Sequence, residues 1–184
     1  MVQKVIVVDE NNKKVCLKEK NAVHIDGDLH RAFSIFIFNK RGELLLQQRS
    51  LEKYHSAGLW TNSCCSHPLL SEEGSEEAES RLRDEMGFSC VLKKVTRIKY
   101  NLPLQCGMIE HESNDIYQGV YDGEVVINPE EACDYKWVSF SEILDELTQN
   151  PQAYTEWFKY LLLETPLGSE LSVSITAQSV QRDG

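Results

Sequence analysis

The sequence predicts a single α+β domain in which helices flank a mixed β-sheet. The chain has 184 residues, of which 41% are apolar, enough for one sizeable core. Short apolar runs bounded by turn residues alternate with longer amphipathic segments. No internal repeat or low-complexity linker divides the chain. We therefore expect one domain over 1–184, with a core of about 3–165 and a polar tail of about 166–184 that frays.

The predicted strands begin with KVIVV at 4–8, which ends at the turn-like DENN. The strongest local pattern is RAFSIFIFNKRGELLLQQR at 31–49, where two apolar runs flank NKRG. This predicts a hairpin with Gly42 in its turn. Further strands are expected near 90–100, 115–121 and 134–138.

Three segments predict helices: 75–87, 139–149 and 153–164. The first ends at Gly87, and the second has a serine cap. The apolar stripe of the first consists of Ala78, Leu82 and Met86. The last helix has five large apolar or aromatic side chains on or near one face: Tyr154, Trp157, Phe158, Leu161 and Leu162.

The charge of the chain restricts its partners. Net charge is −10 and the pI is near 5.0, which argues against nucleic acid or an anionic membrane, since both need a broad basic surface. A small anion held by a few local cations remains compatible with this charge.

The N-terminal segment meets a charge after four apolar residues, so we expect neither a signal peptide nor a membrane span. A chain this rich in core residues does not need disulfides, so its six cysteines indicate a reduced, cytoplasmic protein.

Five side chains could bind a metal: His24 and His30 in HIDGDLH, His67, and Glu110 and Glu112 in MIEHES. If 110–112 is extended, both carboxylates point to one face. Imidazole with carboxylate suits Zn²⁺ or Mn²⁺, and Mg²⁺ less well. The alternative is ordinary surface or core histidines, because the spacings match no short zinc motif.

Two adjacent cysteines lie in WTNSCCSHPLL at 60–70. In an extended segment, alternation places Cys65 and His67 on one face and turns Cys64 and Ser66 away. The segment alone leaves open which thiol is chemically active.

The predicted helix at 75–87 presents Glu77, Arg81 and Glu85 on one face. Taken alone, this pattern favours a solvated salt-bridge ladder. Four basic side chains flank the segments described so far and could balance the acidity locally, although each is by itself typical of a surface: Lys20, Arg49, Lys53 and Arg81.

Together, TNSCCSHP, HIDGDLH, IEHES and RLRDEMG resemble the type 1 isopentenyl-diphosphate isomerases, a family of the Nudix-fold superfamily, from about residue 3 to about 165. The resemblance implies a Nudix-like fold and interconversion of isopentenyl and dimethylallyl diphosphate for isoprenoid biosynthesis. The segment 66–88 is similar to a degraded Nudix box. Glu72 keeps the first acid of that box, whereas Ser80 and Arg81 replace its arginine and a glutamate.

The resemblance also implies site residues. Glu112 would protonate the alkene with help from Tyr100, Trp157 would stabilise a tertiary carbocation, and Cys65 would remove a proton as a thiolate favoured by a nearby cation or donor. Cys64 would pack. One divalent ion, Mn²⁺, Zn²⁺ or Mg²⁺, would be held by His24, His30, His67, Glu110 and Glu112. Mg²⁺ would bind Glu85, the Cys65 carbonyl and the substrate diphosphate, which would also contact Lys20, Arg49, Lys53 and Arg81.

The expected partner is a small-molecule diphosphate, and the expected state is a monomer or weak dimer. Three other functions remain open: a Nudix hydrolase of a diphosphate compound, a non-catalytic Nudix-fold binding module, and a structural zinc protein. The replaced box residues argue against the first. The thiol, histidines and carboxylates in matched positions argue against the second. The shortage of cysteine ligands argues against the third.

Overall fold

The computed structural model describes residues 3–69, 75–104 and 107–171. In these ranges one mixed sheet contains nine strands: β1 Lys4–Val8, β2 Lys14–Glu19, β3 His30–Phe38, β4 Leu44–Arg49, β5 Trp60–Thr61, β6 Cys64–Ser66, β7 Lys93–Pro103, β8 Ile109–Val120 and β9 Ala132–Val138. Four α-helices are labelled: α1 Lys20–Asp26, α2 Ser75–Met86, α3 Phe140–Gln149 and α4 Glu156–Leu163. A 3₁₀ helix lies at Pro151–Ala153, and 167–171 are also helical. None of the helices in the described ranges has the length and apolar character needed to cross a bilayer.

Strand β3 is the centre of the sheet. It pairs antiparallel with β1, β4 and β6, and parallel with β8 over its full length. All nine of its residues are buried, as expected for a strand covered on both faces. The parallel register sets His30 directly opposite Glu112, which joins two distant segments of the chain.

Alternation along β3 divides the core into two clusters. Phe33, Ile35 and Ile37 pack with α2, whereas Phe36 and Phe38 pack with α3 and α4. The predicted apolar stripe of α2 and the predicted apolar face of α4 are buried, which confirms both predictions. The α+β class, with helices on both faces of a mixed sheet, is also confirmed.

Most predicted elements are present with shifted ends. The strand at 4–8, the hairpin through Gly42 and the serine cap are confirmed, and Ser139 forms a full capping box with Glu142. The later strands begin or end a few residues from the predicted positions. Four elements were not predicted from the sequence: β2, α1, β5 and β6. Strand β2 lies at a solvated edge, α1 has seven residues without a side-chain cap, and β5 and β6 are too short for periodicity.

The prediction that the tail frays from residue 166 is wrong for 167–171. These residues are helical, and Leu167 and Leu171 are buried in the cluster beside α4. Their hydrophobic burial holds the segment against the domain. Residues 172–184 lie outside the described part of the chain, as do Glu72 and Cys106.

The segment between β8 and β9 is fastened to the end of α2. The Val126 amide donates to the Met86 carbonyl at 3.1 Å, and the Asn128 amide donates to the Glu85 carbonyl at 2.8 Å. Gly87 permits this contact because its φ is 78° and a Cβ there would lie 2.3 Å from the Val126 carbonyl oxygen. The segment therefore enters β9 next to α2.

Candidate active site

The five predicted metal ligands converge. One ligand atom from each lies within 4.8 Å of those of the others. Helix α1 supplies the first, the start of β3 the second, the residue after β6 the third, and β8 the two carboxylates: His24, His30, His67, Glu110 and Glu112. Residues 110–112 are extended, so the predicted shared face of the two carboxylates is present.

Hydrogen bonds orient the histidine rings towards one point. His24 Nδ1 bonds the Lys20 carbonyl oxygen at 2.7 Å, and His30 Nδ1 bonds the Asp28 carbonyl oxygen at 2.9 Å. A carbonyl accepts only, so each Nδ1 donates, and the neutral His30 ring keeps a free lone pair on Nε2. Burial lowers the pKa of His24, but the Glu110 carboxylate outweighs it and raises that pKa. The Nε2 atoms of His30 and His67 are 3.2 Å apart.

The donor set fits a divalent cation. His24 Nε2 and Glu110 Oε2 are buried and pair with each other at 3.2 Å, and in the described part of the protein neither atom has a further hydrogen-bond partner. Burial lowers the pKa of His30 to about 3 and that of His67 well below its usual value. Both imidazoles are therefore neutral, the state that binds metals. Three imidazoles with two carboxylates match the preferences of Zn²⁺ and Mn²⁺.

Glu112 lies in a buried polar network beside this cluster. The Tyr100 hydroxyl donates to Glu112 Oε2, and Asn114 Nδ2 donates to the same oxygen at 3.1 Å. Asn114 also contacts the Tyr100 oxygen at 2.7 Å. Burial raises the pKa of Glu112 and raises that of Tyr100 well above its usual value. The carboxyl group is thus held in place and can take a proton more readily than a solvated glutamate.

The Cys65 thiol is desolvated and has two polar partners. Its Sγ donates to Asn62 Oδ1 at 3.0 Å and lies 3.5 Å from Ser34 Oγ. Burial raises the pKa of Cys65 to about 12, although both hydrogen bonds oppose the shift. The two contacts act in the direction expected of a nearby donor, towards the thiolate, but desolvation outweighs them, so the thiol form prevails.

The two adjacent thiols lie on opposite faces of the sheet. Cys64 is fully buried in the apolar cluster with α2, whereas Cys65 packs against the other cluster and lines the cavity that contains His67. Burial, together with the Glu85 carboxylate, raises the pKa of Cys64 well above its usual value. This is the environment of a packing residue, as predicted for Cys64.

One cavity collects the predicted reactive side chains, and a second cavity adjoins it. The first is lined by Cys65, Tyr100, Glu110, Glu112, His67 and Trp157. The second is lined by the four predicted cations together with Glu85. Lys20, Arg49 and Cys65 line both cavities. Burial lowers the pKa of Lys20, so an anion beside it would favour its charged form.

Trp157 is fixed by contacts on its edge and its face. Its Nε1 donates to Thr61 Oγ1 at 3.0 Å, and the Arg49 guanidinium lies 5.2 Å from the ring centre. His55, which the sequence analysis missed, packs edge-on to the indole at 5.8 Å with its Nε2 3.5 Å from Glu110 Oε1. His55 lies in no recognisable motif, so its place in the site follows only from the tertiary structure.

The acidic and basic groups of the second cavity form a connected chain. Arg81 Nη2 donates to Glu85 Oε1 at 2.5 Å and to Glu131 Oε1 at 3.2 Å. Glu131 also pairs with Lys53. Glu85 is only 4% exposed, so the solvated ladder that the spacing favoured is not what forms. Glu77 instead accepts from the Leu69 amide, and Glu131 was missed because it is distant in sequence.

Comparison with known proteins gives a consistent result. The family model of the NUDIX domain matches residues 28–159. The chain is 45% identical to an isopentenyl-diphosphate Delta-isomerase of Pectobacterium atrosepticum over 162 residues, covering 88% of this chain and 90% of the relative. It is 47% identical to an isopentenyl-diphosphate Delta-isomerase of Serratia proteamaculans over 158 residues, covering 86% and 88%.

Solved structures agree on the fold. A crystal structure of a protein from Deinococcus radiodurans superposes with a TM-score of 0.72 at 16% identity, covering 86% of this chain and 96% of that one. A MutT protein from Methanosarcina mazei Go1 superposes with a TM-score of 0.58 at 21% identity, covering 71% and 88%. At these identities the likeness concerns the fold alone.

Proposed function

This chain belongs to the isopentenyl-diphosphate Delta-isomerases of the Nudix superfamily, and on that premise we propose that it interconverts isopentenyl diphosphate and dimethylallyl diphosphate for isoprenoid biosynthesis. The observation that carries the proposal is a buried cavity lined by Cys65 and by the Glu112–Tyr100 pair, next to a second cavity rich in cations. The first cavity contains two groups that can exchange protons with a substrate, and the positive charge of the second cavity can bind an anion.

The reaction adds a proton at one carbon and removes one at another. Glu112, oriented by Tyr100, delivers a proton to the terminal methylene, and the alkene π pair forms the new C–H bond. The resulting tertiary cation lies against the Trp157 indole, whose face can stabilise it by about 2 kcal/mol when desolvated. Cys65 then takes the C2 proton, and the electrons of that C–H bond form the new double bond.

Each direction of the reaction begins from its own protonation state of the two groups. With Cys65 as a thiol and Glu112 as a carboxylate, the thiol donates to C2 of dimethylallyl diphosphate and the carboxylate accepts from a methyl group. For the opposite direction the same proton lies on Glu112 and Cys65 is a thiolate. Burial disfavours the charged form of either group, so the group that has lost the proton is a stronger base than it would be in water.

Two metal sites support these roles. A divalent cation held by the three histidines, Glu110 and Glu112 would fix the orientation of the Glu112 carboxylate and tune its acidity. Mg²⁺ at Glu85, with the Cys65 carbonyl, would offset the charge of the diphosphate. Lys20, Arg49, Lys53 and Arg81 bind the same diphosphate and anchor the reacting carbons.

The cavity walls also protect the intermediate, because a carbocation exposed to water would be hydrated. Tyr100, Trp157 and Phe33 contribute buried aromatic surface to the cavity lining. The five described cysteines are free, which supports a reducing, cytoplasmic setting for the enzyme.

The test is turnover of isopentenyl diphosphate with Mg²⁺ in D₂O, followed by NMR. We expect deuterium in the new methyl group, and we expect Glu112→Gln to stop both isomerisation and exchange. Product without label under single-turnover conditions would contradict the mechanism, since it would require a direct hydrogen shift. Cleavage of a diphosphate bond without isomerisation would favour the Nudix hydrolase alternative.

A further inference from the structure

We infer that Glu131 is a positioning residue that takes over the Arg81 guanidinium when Glu85 turns to Mg²⁺. The inference rests on the proposed function, in which Glu85 holds Mg²⁺ and Arg81 meets the diphosphate. The new element is a second carboxylate, that of Glu131, which binds the Arg81 guanidinium once Glu85 has released it.

Both carboxylate oxygens of Glu85 are engaged by side chains. Oε1 accepts from Arg81 Nη2 at 2.5 Å, and Oε2 accepts from Gln47 Nε2 at 3.1 Å. Mg²⁺ demands carboxylate oxygens at close range in near-octahedral geometry. A guanidinium on the same oxygen would repel the ion, so Arg81 must release Glu85 before Mg²⁺ can bind there.

Glu131 is already in place to accept the released group. Its Oε1 lies 3.2 Å from the same Nη2 atom of Arg81 that Glu85 contacts, so a small rotation of the guanidinium completes the exchange. Its Oε2 pairs with Lys53. Glu131 thus joins two of the four cations expected at the diphosphate. Arg81 Nε is buried without a hydrogen-bond partner in the described part of the protein and is free to meet a phosphate oxygen.

The backbone keeps Glu131 in this position. Its carbonyl accepts from the Ser50 amide at 3.0 Å, which joins it to the end of β4. Three residues earlier, the Asn128 amide donates to the Glu85 carbonyl at 2.8 Å. The two carboxylates are therefore mounted on connected backbone, and the exchange needs only side-chain motion.

The experiment measures Mg²⁺ binding by calorimetry at saturating inorganic pyrophosphate, which needs no turnover. For Glu131→Gln we expect the half-saturating Mg²⁺ concentration to rise about twofold to fivefold, the upper part of the range for a partly exposed ion pair. The amide keeps the size of the side chain but removes the charge that competes with Glu85 for Arg81. Glu130→Gln is the matched control, because Glu130 is the preceding residue, is exposed and lines the same cavity. It should titrate like the wild type.

A second comparison isolates the coupling. In an Arg81→Ala background, Glu131→Gln should no longer change the Mg²⁺ titration, because the guanidinium that Glu131 would bind is absent. An unchanged titration in the single Glu131 variant, an equal rise in the Glu130 variant, or a persistent effect in the Arg81→Ala background would each overturn the inference. Glu131→Ala serves the same comparison if the Gln variant does not fold. The isomerase assay on wild-type protein separates this inference from the proposed function. If the wild type isomerises its substrate but Glu131→Gln leaves the Mg²⁺ titration unchanged, only the inference about Glu131 is refuted.

Discussion

Substituting each of the two adjacent cysteines in turn separates stability from catalysis. Cys64→Ala removes a sulfur from a fully buried position in the α2 cluster, whereas Cys65→Ala removes one from the wall of the reaction cavity. We expect Cys64→Ala to lower stability and keep most of the activity. We expect Cys65→Ala to fold normally and to lose isomerisation.

The structure gives the size of both effects. Deleting the Cys64 thiol leaves a small cavity in a packed core, for which about 1–2 kcal/mol of lost stability is typical. For a domain of this length, that corresponds to a fall in Tm of about 2–8 °C. Removing the Cys65 thiol breaks two weak hydrogen bonds, to Asn62 and Ser34, at the border of a cavity, which costs about 1 kcal/mol. A lost proton-transfer group lowers the rate by about 10²–10⁴-fold.

The assay is formation of dimethylallyl diphosphate followed by NMR, with thermal unfolding recorded by circular dichroism on the same samples. Cys65→Ser is an informative companion, because a hydroxyl fills the same space yet ionises far less readily than a thiol. Equal loss of activity in the two alanine variants, with both folded, would refute the assignment of Cys65. So would a Cys65→Ala variant that retains more than about a tenth of the wild-type rate.

Four further outcomes are expected. Elemental analysis should find no bound divalent ion in His67→Ala. His111→Ala should keep the ion, because the His111 ring bonds a backbone carbonyl outside the five metal ligands. Equal metal content in the two variants would contradict the site. Ser139→Ala should cost about 1 kcal/mol in denaturant unfolding through loss of the capping box, and unchanged stability would argue against that cap. Trp157→Phe should slow turnover about tenfold or less because phenyl is the weaker cation stabiliser, and a wild-type kcat would remove the indole from the mechanism. Burial favours a higher pKa for Glu131, but its two cationic partners outweigh it and hold the pKa below 4.5. Glu131→Gln should therefore lower the free energy of unfolding by about 1 kcal/mol at pH 7, and this difference from the wild type should disappear as the pH falls through that lowered pKa. A difference that stays constant with pH would exclude the ion pairs as its cause.

Elements with strong local patterns could be predicted from the sequence. The hairpin at 31–49 and the amphipathic helices have apolar periodicity over many residues, and Glu110 and Glu112 share a face because strands alternate with period two. Helix α1 lacks these signals: it spans two turns, begins at Lys20 without a side-chain cap, and ends at Gly27. Its role is to place His24 among the five metal ligands, and that placement depends on tertiary packing.

The functional residues divide in the same way. The metal ligands and Cys65 are recognisable through short motifs that resemble a known family. His55, Asn114 and Glu131 belong to no such motif, and each is placed by a contact with a residue remote in the sequence. The protonated state of Cys65 could not be inferred either, because it depends on burial that no spacing encodes.

The parallel pairing of β3 with β8 has a consequence for folding: we expect the five metal ligands to come together late. These ligands come from α1, β3, β8 and the residue after β6, so the set is incomplete until a long stretch of chain has closed. Such closure is entropically costly and slow, which makes the cluster a late feature of the folding reaction. A metal bound to that cluster stabilises the native state more than the transition state. Removing the ion should consequently accelerate unfolding while leaving the refolding rate nearly unchanged.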